Sequence, residues 1–210
     1  MLFRSIFVNI NNFNRMKDIL NTLYNKDIRN ILIEKHIHGR DFRVLCYKNN
    51  VIDVVERIPP FIIGDGKLSL NKLINIKTKY HLQNELHAIK INHEYLNSIG
   101  IDLKYIPKKG EKIVINPVSN FHNGGYPTRI PLSEVHDDNI KMFSSINSIL
   151  KLNLSGIDFL TPDISQSYKN IQCAVNEVNK FPNLDIHYNA DNLKSIDFCK
   201  KMLRLYFNIN

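Results

Sequence analysis

Asp158 stands inside the apolar run Gly156-Ile157-Asp158-Phe159-Leu160, and Glu177-Val178-Asn179 follows nineteen positions later. A carboxylate among apolar neighbours is costly unless a cation or hydrogen-bond donors compensate it. Each set of polar groups lies in or at the end of an apolar stretch, residues 152–160 and 171–178. Two adjacent strands there would aim Asp158, Glu177 and Asn179 at one point. Three oxygen donors so arranged suit a hard divalent cation that holds a nucleotide phosphate. The residues alone also fit a plainer arrangement, in which strand-end acids are solvated or cap a helix.

Composition narrows the partners. The chain has 210 residues, 43% of them hydrophobic, enough for one sizeable core but short for two full domains. Net charge is +8, yet Lys and Arg are scattered, with clusters no longer than pairs such as Lys108-Lys109 and Lys200-Lys201. No basic run alternates with aromatics and no zinc-type spacing occurs. A diffuse positive field suits a small anionic ligand, and nucleic acid is not expected as a partner. Cys46, Cys173 and Cys199 are far apart in apolar or amphipathic segments, as in core packing within a reducing compartment. Residues 1–8 turn polar too soon for a secretory signal, and no apolar run reaches membrane-spanning length. The expected setting is the cytoplasm, with no membrane partner.

The elements that must hold these groups read as α+β. A strand over residues 6–10 precedes a helix on which Met16, Ile19, Leu20 and Leu23 recur at helical spacing, with Asn11 or Asn12 as its cap. Residues 30–37 read as a buried strand, and 42–48 with 51–58 as a hairpin turning at Asn49-Asn50. Ser69 is expected to cap a helix bearing Leu70, Leu73 and Ile74, and a short helix is expected over 93–98. A strand over 112–115, a polar loop over 120–125, and a helix opened by Asp137 or Asp138 come next. The two acid-bearing strands follow, then a terminal helix over 192–206. There is no internal repeat, and the order reads as one unit.

Several segments now join the acids. Glu34 to Leu45 reads Glu-Lys-His-Ile-His-Gly-Arg-Asp-Phe-Arg-Val-Leu, and resembles the nucleotide hinge of ATP-grasp ligases. The further segments are Arg57-Ile58-Pro59-Pro60, Gly64-Asp65-Gly66, Asn120 with Gly124-Gly125, Glu134-Val135-His136, residues 158–163, and Glu177-Val178-Asn179. In that order they are similar to the ATP-grasp module of cyanophycin synthetase and of the fused bacterial glutamate–cysteine ligase/glutathione synthetase. The resemblance spans about residues 6–188. It implies the C-terminal subdomain of an ATP-grasp fold, a mixed or antiparallel sheet flanked by helices. It also implies a carboxylate–amine ligase that uses ATP and two magnesium ions, with manganese as a substitute, and passes through an acyl phosphate. The implied substrate is an amino-acid or peptide carboxylate.

The resemblance assigns roles by position. Asp158 holds one magnesium ion, Glu177 bridges both and Asn179 completes the second. Backbone groups of Glu34 and Ile37 meet the adenine edge, Lys35 and Arg57 approach the phosphates, and Asp41 takes the ribose hydroxyls. Arg43 clamps phosphate or the substrate carboxylate, and Asn120 belongs to the loop facing them. Read without the family, Arg43 is a candidate ion-pair partner of Glu56 across the hairpin, and the glycines also satisfy turn geometry. His36 and His122 are expected to be ordinary polar positions, because magnesium prefers oxygen.

The chain departs from the family pattern in two places. The family's glycine-rich phosphate loop and its lysine have no counterpart, since Gly39 is the first glycine. The expectation is an incomplete N-terminal subdomain, supplied by a partner chain. Asn116-Pro117 stands where the family has an arginine, and His122-Asn123 where it has small hydroxyl residues. A decayed nucleotide-binding protein without catalysis is the alternative these changes suggest.

Overall fold

The computed structural model describes Phe7, Ile10 and residues 12–192 and 194–208. The chain divides after His38 into two compact units. In the first, helix α1 (Phe13–Asn25) buries Leu23, and the Asn12 side chain accepts from the Arg15 amide at 2.9 Å. Beyond it, Arg29 lies 4.1 Å from the Tyr24 ring centroid and pairs with Asp27 at 2.6 Å. The buried strand expected over residues 30–37 does not form. Residues 28–38 carry no regular structure, and Ile31, Leu32 and Ile33 are exposed. A strand exists through the ladder that satisfies its backbone, and among the described residues none pairs with this segment. The strand expected over 6–10 lies mostly outside the described residues.

The second unit carries seven strands: β1 (Arg40–Tyr47), β2 (Asn50–Ile58), β3 (Phe61–Ile63), β4 (Lys112–Val114), β5 (Tyr126–Ile130), β6 (Leu154–Thr161) and β7 (Ala174–Asn179). Five form an antiparallel sheet in the order β5-β2-β1-β6-β7, and β3 pairs with β4 separately. Alternation sorts the five-stranded sheet into two faces. Phe42, Val44 and Cys46 of β1, Val54 of β2, Ile130 of β5, and Ile157 and Phe159 of β6 form one core with Phe143. Phe143 belongs to the helix Asp137–Ile149 and meets Phe159 edge-on at 5.1 Å. Each such buried side chain contributes about 1.5–3 kcal/mol.

On the opposite face Val55 packs against Phe121, Ile186 and Ala190, and a second apolar cluster lies at one end. There Leu45 and Ile52 pack against Phe198 of the terminal helix Ile196–Phe207, with Leu184 and Tyr188 alongside. A smaller core joins Ile62 and Ile113 of the two-stranded sheet to Leu70 and Ile74 of the helix Leu70–Gln83 and Leu96 of the helix His93–Ser98.

Details differ from the sequence expectations for local reasons. The hairpin turns at Lys48-Asn49, because Tyr47 pairs with Asn50 and Lys48 takes a left-handed conformation at φ 52°. Its amide donates to the Asn153 carbonyl at 2.6 Å, and its carbonyl accepts from the Asn147 side chain. Ser69 takes the N-cap position of its helix without a side-chain bond, whereas the helix Asp137–Ile149 starts at Asp137 as expected, with His136 as its cap accepting from the Asp138 amide. The terminal helix begins at Ile196, where Ser195 accepts from the Phe198 amide. Among the described residues no helix is long and apolar enough to cross a membrane.

Candidate functional site

Asp158 sits opposite Arg43 on β1 and opposite Glu177 on β7. Because Ile157 and Phe159 point into the core, Asp158 points to the other face, and so does Arg43 between Phe42 and Val44. Asp41 and Arg57 are cross-strand partners on that face. Four charges thus meet on that face, next to Val55, which Phe121 and Ile186 cover. Arg43 Nε lies 2.5 Å from Asp158 Oδ1, Arg57 Nη2 lies 3.1 Å from Asp158 Oδ2, and the same Nη2 lies 2.5 Å from Asp41 Oδ1. Burial pushes the Asp41 carboxyl up from its usual range, opposed by Arg57. Burial also works against the Arg57 charge, but Asp41 and Asp158 outweigh it and hold the guanidinium firmly protonated.

Asp158 Oδ1, Arg43 Nε and Arg57 Nε are buried without a well-directed hydrogen bond, although the first two are in ionic contact. The short distance shows charge attraction, and Arg43 Nη2 also donates to Asp158 Oδ2 at 3.4 Å. Glu177 is exposed and, among the described residues, has neither an ion pair nor a hydrogen bond. The ladder slips between Asp158 and Phe159, so Asn176 faces no partner while Glu177 pairs with Asp158 and Asn179 with Gly156. Beyond that bulge Glu177 and Asn179 are two apart in continuous register, so strand alternation puts both on one face beside Asp158. The donor set is all oxygen, which fits a hard divalent cation.

Other predicted residues stand elsewhere. Glu34, Lys35 and Ile37 belong to the first unit, in its segment without helix or strand; Glu34 and Lys35 are exposed and Ile37 is half-buried. Asn120 is exposed, and its Oδ1 accepts from the His122 amide at 3.0 Å. Its carbonyl lies by Gly125, where an added Cβ would come within 2.9 Å of the Ile58 carbonyl oxygen at the end of β2. Glu56 is not the partner of Arg43. It pairs with Arg40 through two contacts of 2.9 and 2.5 Å, because register puts Glu56 opposite Phe42 on the face covered by the helix Asp137–Ile149.

Arg57, a candidate for approaching the phosphates, bridges both acids, and Gly156 is the member of the site that the sequence reading missed. Gly156 is the floor beneath Arg43: a Cβ there would lie 2.9 Å from Arg43 Nη1 and 2.7 Å from Pro182 Cβ. Its position two residues before Asp158 was the available signal, since same-face neighbours on a strand are two apart. A second buried cluster anchors the segment after β7. His187 Nδ1 lies 2.9 Å from Asp53 Oδ2, Arg129 Nε lies 3.2 Å from Asp53 Oδ1, and Arg129 donates to the His187 carbonyl at 2.5 Å. These bonds fix the short helix Asp185–Tyr188, and with it the turn leaving Asn179.

The antiparallel sheet and its flanking helices give the chain an α+β fold, and its sequence resembles cyanophycin synthetases and bifunctional glutathione-biosynthesis proteins. In particular it is similar to the cyanophycin synthetase of Crocosphaera subtropica, 27% identical over 193 residues that make up 88% of this chain and 22% of that protein. It is 29% identical over 189 residues to the glutathione biosynthesis bifunctional protein GshAB of Clostridium perfringens, covering 85% of this chain and 24% of the relative. The crystal structure of a bifunctional glutathione synthetase from Pasteurella multocida matches with a TM-score of 0.64 at 19% identity, over 83% of this chain and 25% of that one. The chain therefore spans about a quarter or less of the length of each of these proteins. No protein-family model matches it.

Proposed function

We propose that this chain forms the metal- and phosphate-facing part of an ATP-dependent carboxylate–amine ligase site acting on an amino acid or peptide. The observation that carries the reading is the alignment of Asp158, Glu177 and Asn179 on adjacent strands beside Arg43 and Arg57. Asp158, Glu177 and Asn179 would hold two magnesium ions, with manganese as a substitute. Bound there, magnesium supplies neutralisation of phosphate charge. Arg43 and Arg57 offer planar forks to anionic oxygens of phosphate or substrate carboxylate. Asn120 retains its side-chain amide as a donor, while its carbonyl oxygen holds the turn. Asp41 would take the ribose hydroxyls once Arg57 turns toward phosphate. Activation as an acyl phosphate and a partner segment carrying the glycine-rich loop complete the proposal.

A second reading is a nucleotide-binding protein without turnover. It is favoured by the engagement of Asp158 and Asp41 by arginines, which already neutralises two of the acids. Calorimetric titration of ATP with and without magnesium, followed by ADP release with amino acids once the segment carrying the glycine-rich loop is supplied, tests both. The ligase reading expects magnesium-dependent binding that Glu177→Gln weakens and Asp163→Asn does not, together with ADP release. Binding without release supports the second reading. Equal effects of the two substitutions would sink the metal assignment.

A further inference from the structure

Away from the acid-bearing strands, three ligating side chains from three separate segments converge. His87 follows the helix Leu70–Gln83, His122 lies in the turn Phe121–Asn123, and Asp185 opens the short helix Asp185–Tyr188. One ligating atom of each lies within 4.8 Å of those of the other two. His87 Nε2 is 3.0 Å from His122 Nδ1, and His122 Nε2 is 3.5 Å from Asp185 Oδ2. Nitrogen and oxygen donors about 2.0–2.1 Å from a tetrahedral zinc ion are roughly 3.3 Å apart. The His87–His122 contact is near that spacing, while Asp185 meets the other His122 nitrogen, so a turn of the exposed His122 ring or of Asp185 closes the set from within 4.8 Å. Two imidazole nitrogens this close share one proton at most, and a metal ion can take the place of that proton.

The surrounding bonds hold each ligand. The His87 ring meets Phe121 edge-on at 4.8 Å, and the His87 carbonyl lies 2.9 Å from His81 Nδ1. The His122 amide donates to Asn120 Oδ1, and the Asp185 amide donates to Asn183 Oδ1 at 3.2 Å. Asn183 Nδ2 lies 3.3 Å from His122 Nε2, a further polar group at the edge of the cluster. His122 itself is half exposed, so its ring can turn to bring either nitrogen inward.

We propose that His87, His122 and Asp185 bind a zinc-class transition-metal ion, with water in the fourth position. Two imidazoles and one carboxylate suit such an ion and disfavour magnesium, whose preferred ligands are all oxygen. The ion would tie the loop containing Asn120 to the segment that leaves β7 at Asn179. It would thereby fix two strips of chain beside the charged face. The site rests on its own ligands and does not require the proposed ligase activity. His122, set aside in the sequence as an ordinary polar position, becomes its central ligand.

The test is calorimetric titration of the full metal-free chain with zinc chloride near neutral pH, with circular dichroism as the check on folding. The wild type should bind one equivalent, and His122→Ala and Asp185→Asn should each weaken binding at least about ten-fold, the lower end of the loss seen for outer-sphere partners alone. The exposed pair His36 and His38, whose rings are 4.4 Å apart in the first unit, provides the control. His36→Ala/His38→Ala should leave the affinity unchanged. Cobalt substitution should give the intense visible bands of a tetrahedral site, lost in His122→Ala. Absence of zinc binding by the wild type, unchanged affinity in both ligand variants, or loss of binding in the His36/His38 variant would each overturn the proposal.

Discussion

Replacing Asp158 by asparagine keeps the shape of the side chain and removes one of the two negative charges facing Arg43 and Arg57. The charged cluster then changes from balanced to carrying one net positive charge. Side-chain exposure is 7% for Asp158, 13% for Arg43 and 17% for Arg57, so water screens little of the imbalance. Removing one partner of a buried ion pair costs about 3–5 kcal/mol. Arg57 keeps Asp41 at 2.5 Å, and both guanidiniums retain some exposure. The expected loss is therefore nearer ~2–3 kcal/mol. With a denaturant slope of ~2 kcal/mol/M, the urea midpoint should fall by about 1–1.5 M at unchanged slope.

Equilibrium urea unfolding followed by far-UV circular dichroism measures that shift. Asp197→Asn serves as the reference, because Asp197 is 95% exposed and its Lys200 partner is 3.7 Å away. Its effect should be within about 0.5 kcal/mol. The double variant Arg43→Met/Asp158→Asn should lose less than the sum of the single variants, since each single change strands a partner. A midpoint for Asp158→Asn equal to that of Asp197→Asn would refute the reasoning. A rise in stability would refute it differently, by showing that the acids outweigh their arginines and are held under repulsion in the metal-free chain.

Two further outcomes follow from the same face. Gly156→Ala puts a Cβ within 2.9 Å of Arg43 Nη1 and 2.7 Å of Pro182 Cβ. It should cost about 1–3 kcal/mol by overpacking, read as a lower urea midpoint, and should weaken magnesium-dependent ATP binding more than the exposed-site change Asp197→Asn. The pH dependence of stability has a definite sign. Burial lowers the His187 pKa below its ordinary value, against the opposing pull of Asp53, and burial likewise lowers that of His81. Both rings resist protonation in the fold, so their stabilising contribution is present above the unfolded value of about 6.5 and is lost as pH falls below it. Stability should decline between pH ~7 and ~5 at up to about 1.4 kcal/mol per unit for each ring, and His187→Asn should flatten the slope. An unchanged slope in that variant would show that His187 does not couple folding to protons.

Local chemistry made much of the chain legible before its folding was known. The helical spacing of Met16, Ile19, Leu20 and Leu23 specifies α1, and the apolar runs around Asp158 and before Asn179 specify neighbouring strands. Oxygen donors on those strands point to a hard cation, and the hinge and glycine segments point to the ATP-grasp resemblance. These conclusions depend on periodicity and residue type, which are properties of short stretches. Residues 30–37 mark where that reasoning stops: Ile31, Leu32 and Ile33 have strand-like composition, but composition cannot provide a pairing partner.

Only the tertiary structure decided which charges meet. Register gave Arg40 to Glu56, and placed Arg43 with Arg57 on Asp158, because one step along a strand changes the face. It revealed Gly156 as the space beneath Arg43, a matter of approach between strands that no linear spacing encodes. It also brought His87, His122 and Asp185 together from segments 35 and 63 residues apart in sequence. Asp158, the acid whose apolar setting first demanded a cation, is supplied with two guanidiniums by the fold itself. Glu177, exposed beside it, keeps its charge open to a ligand.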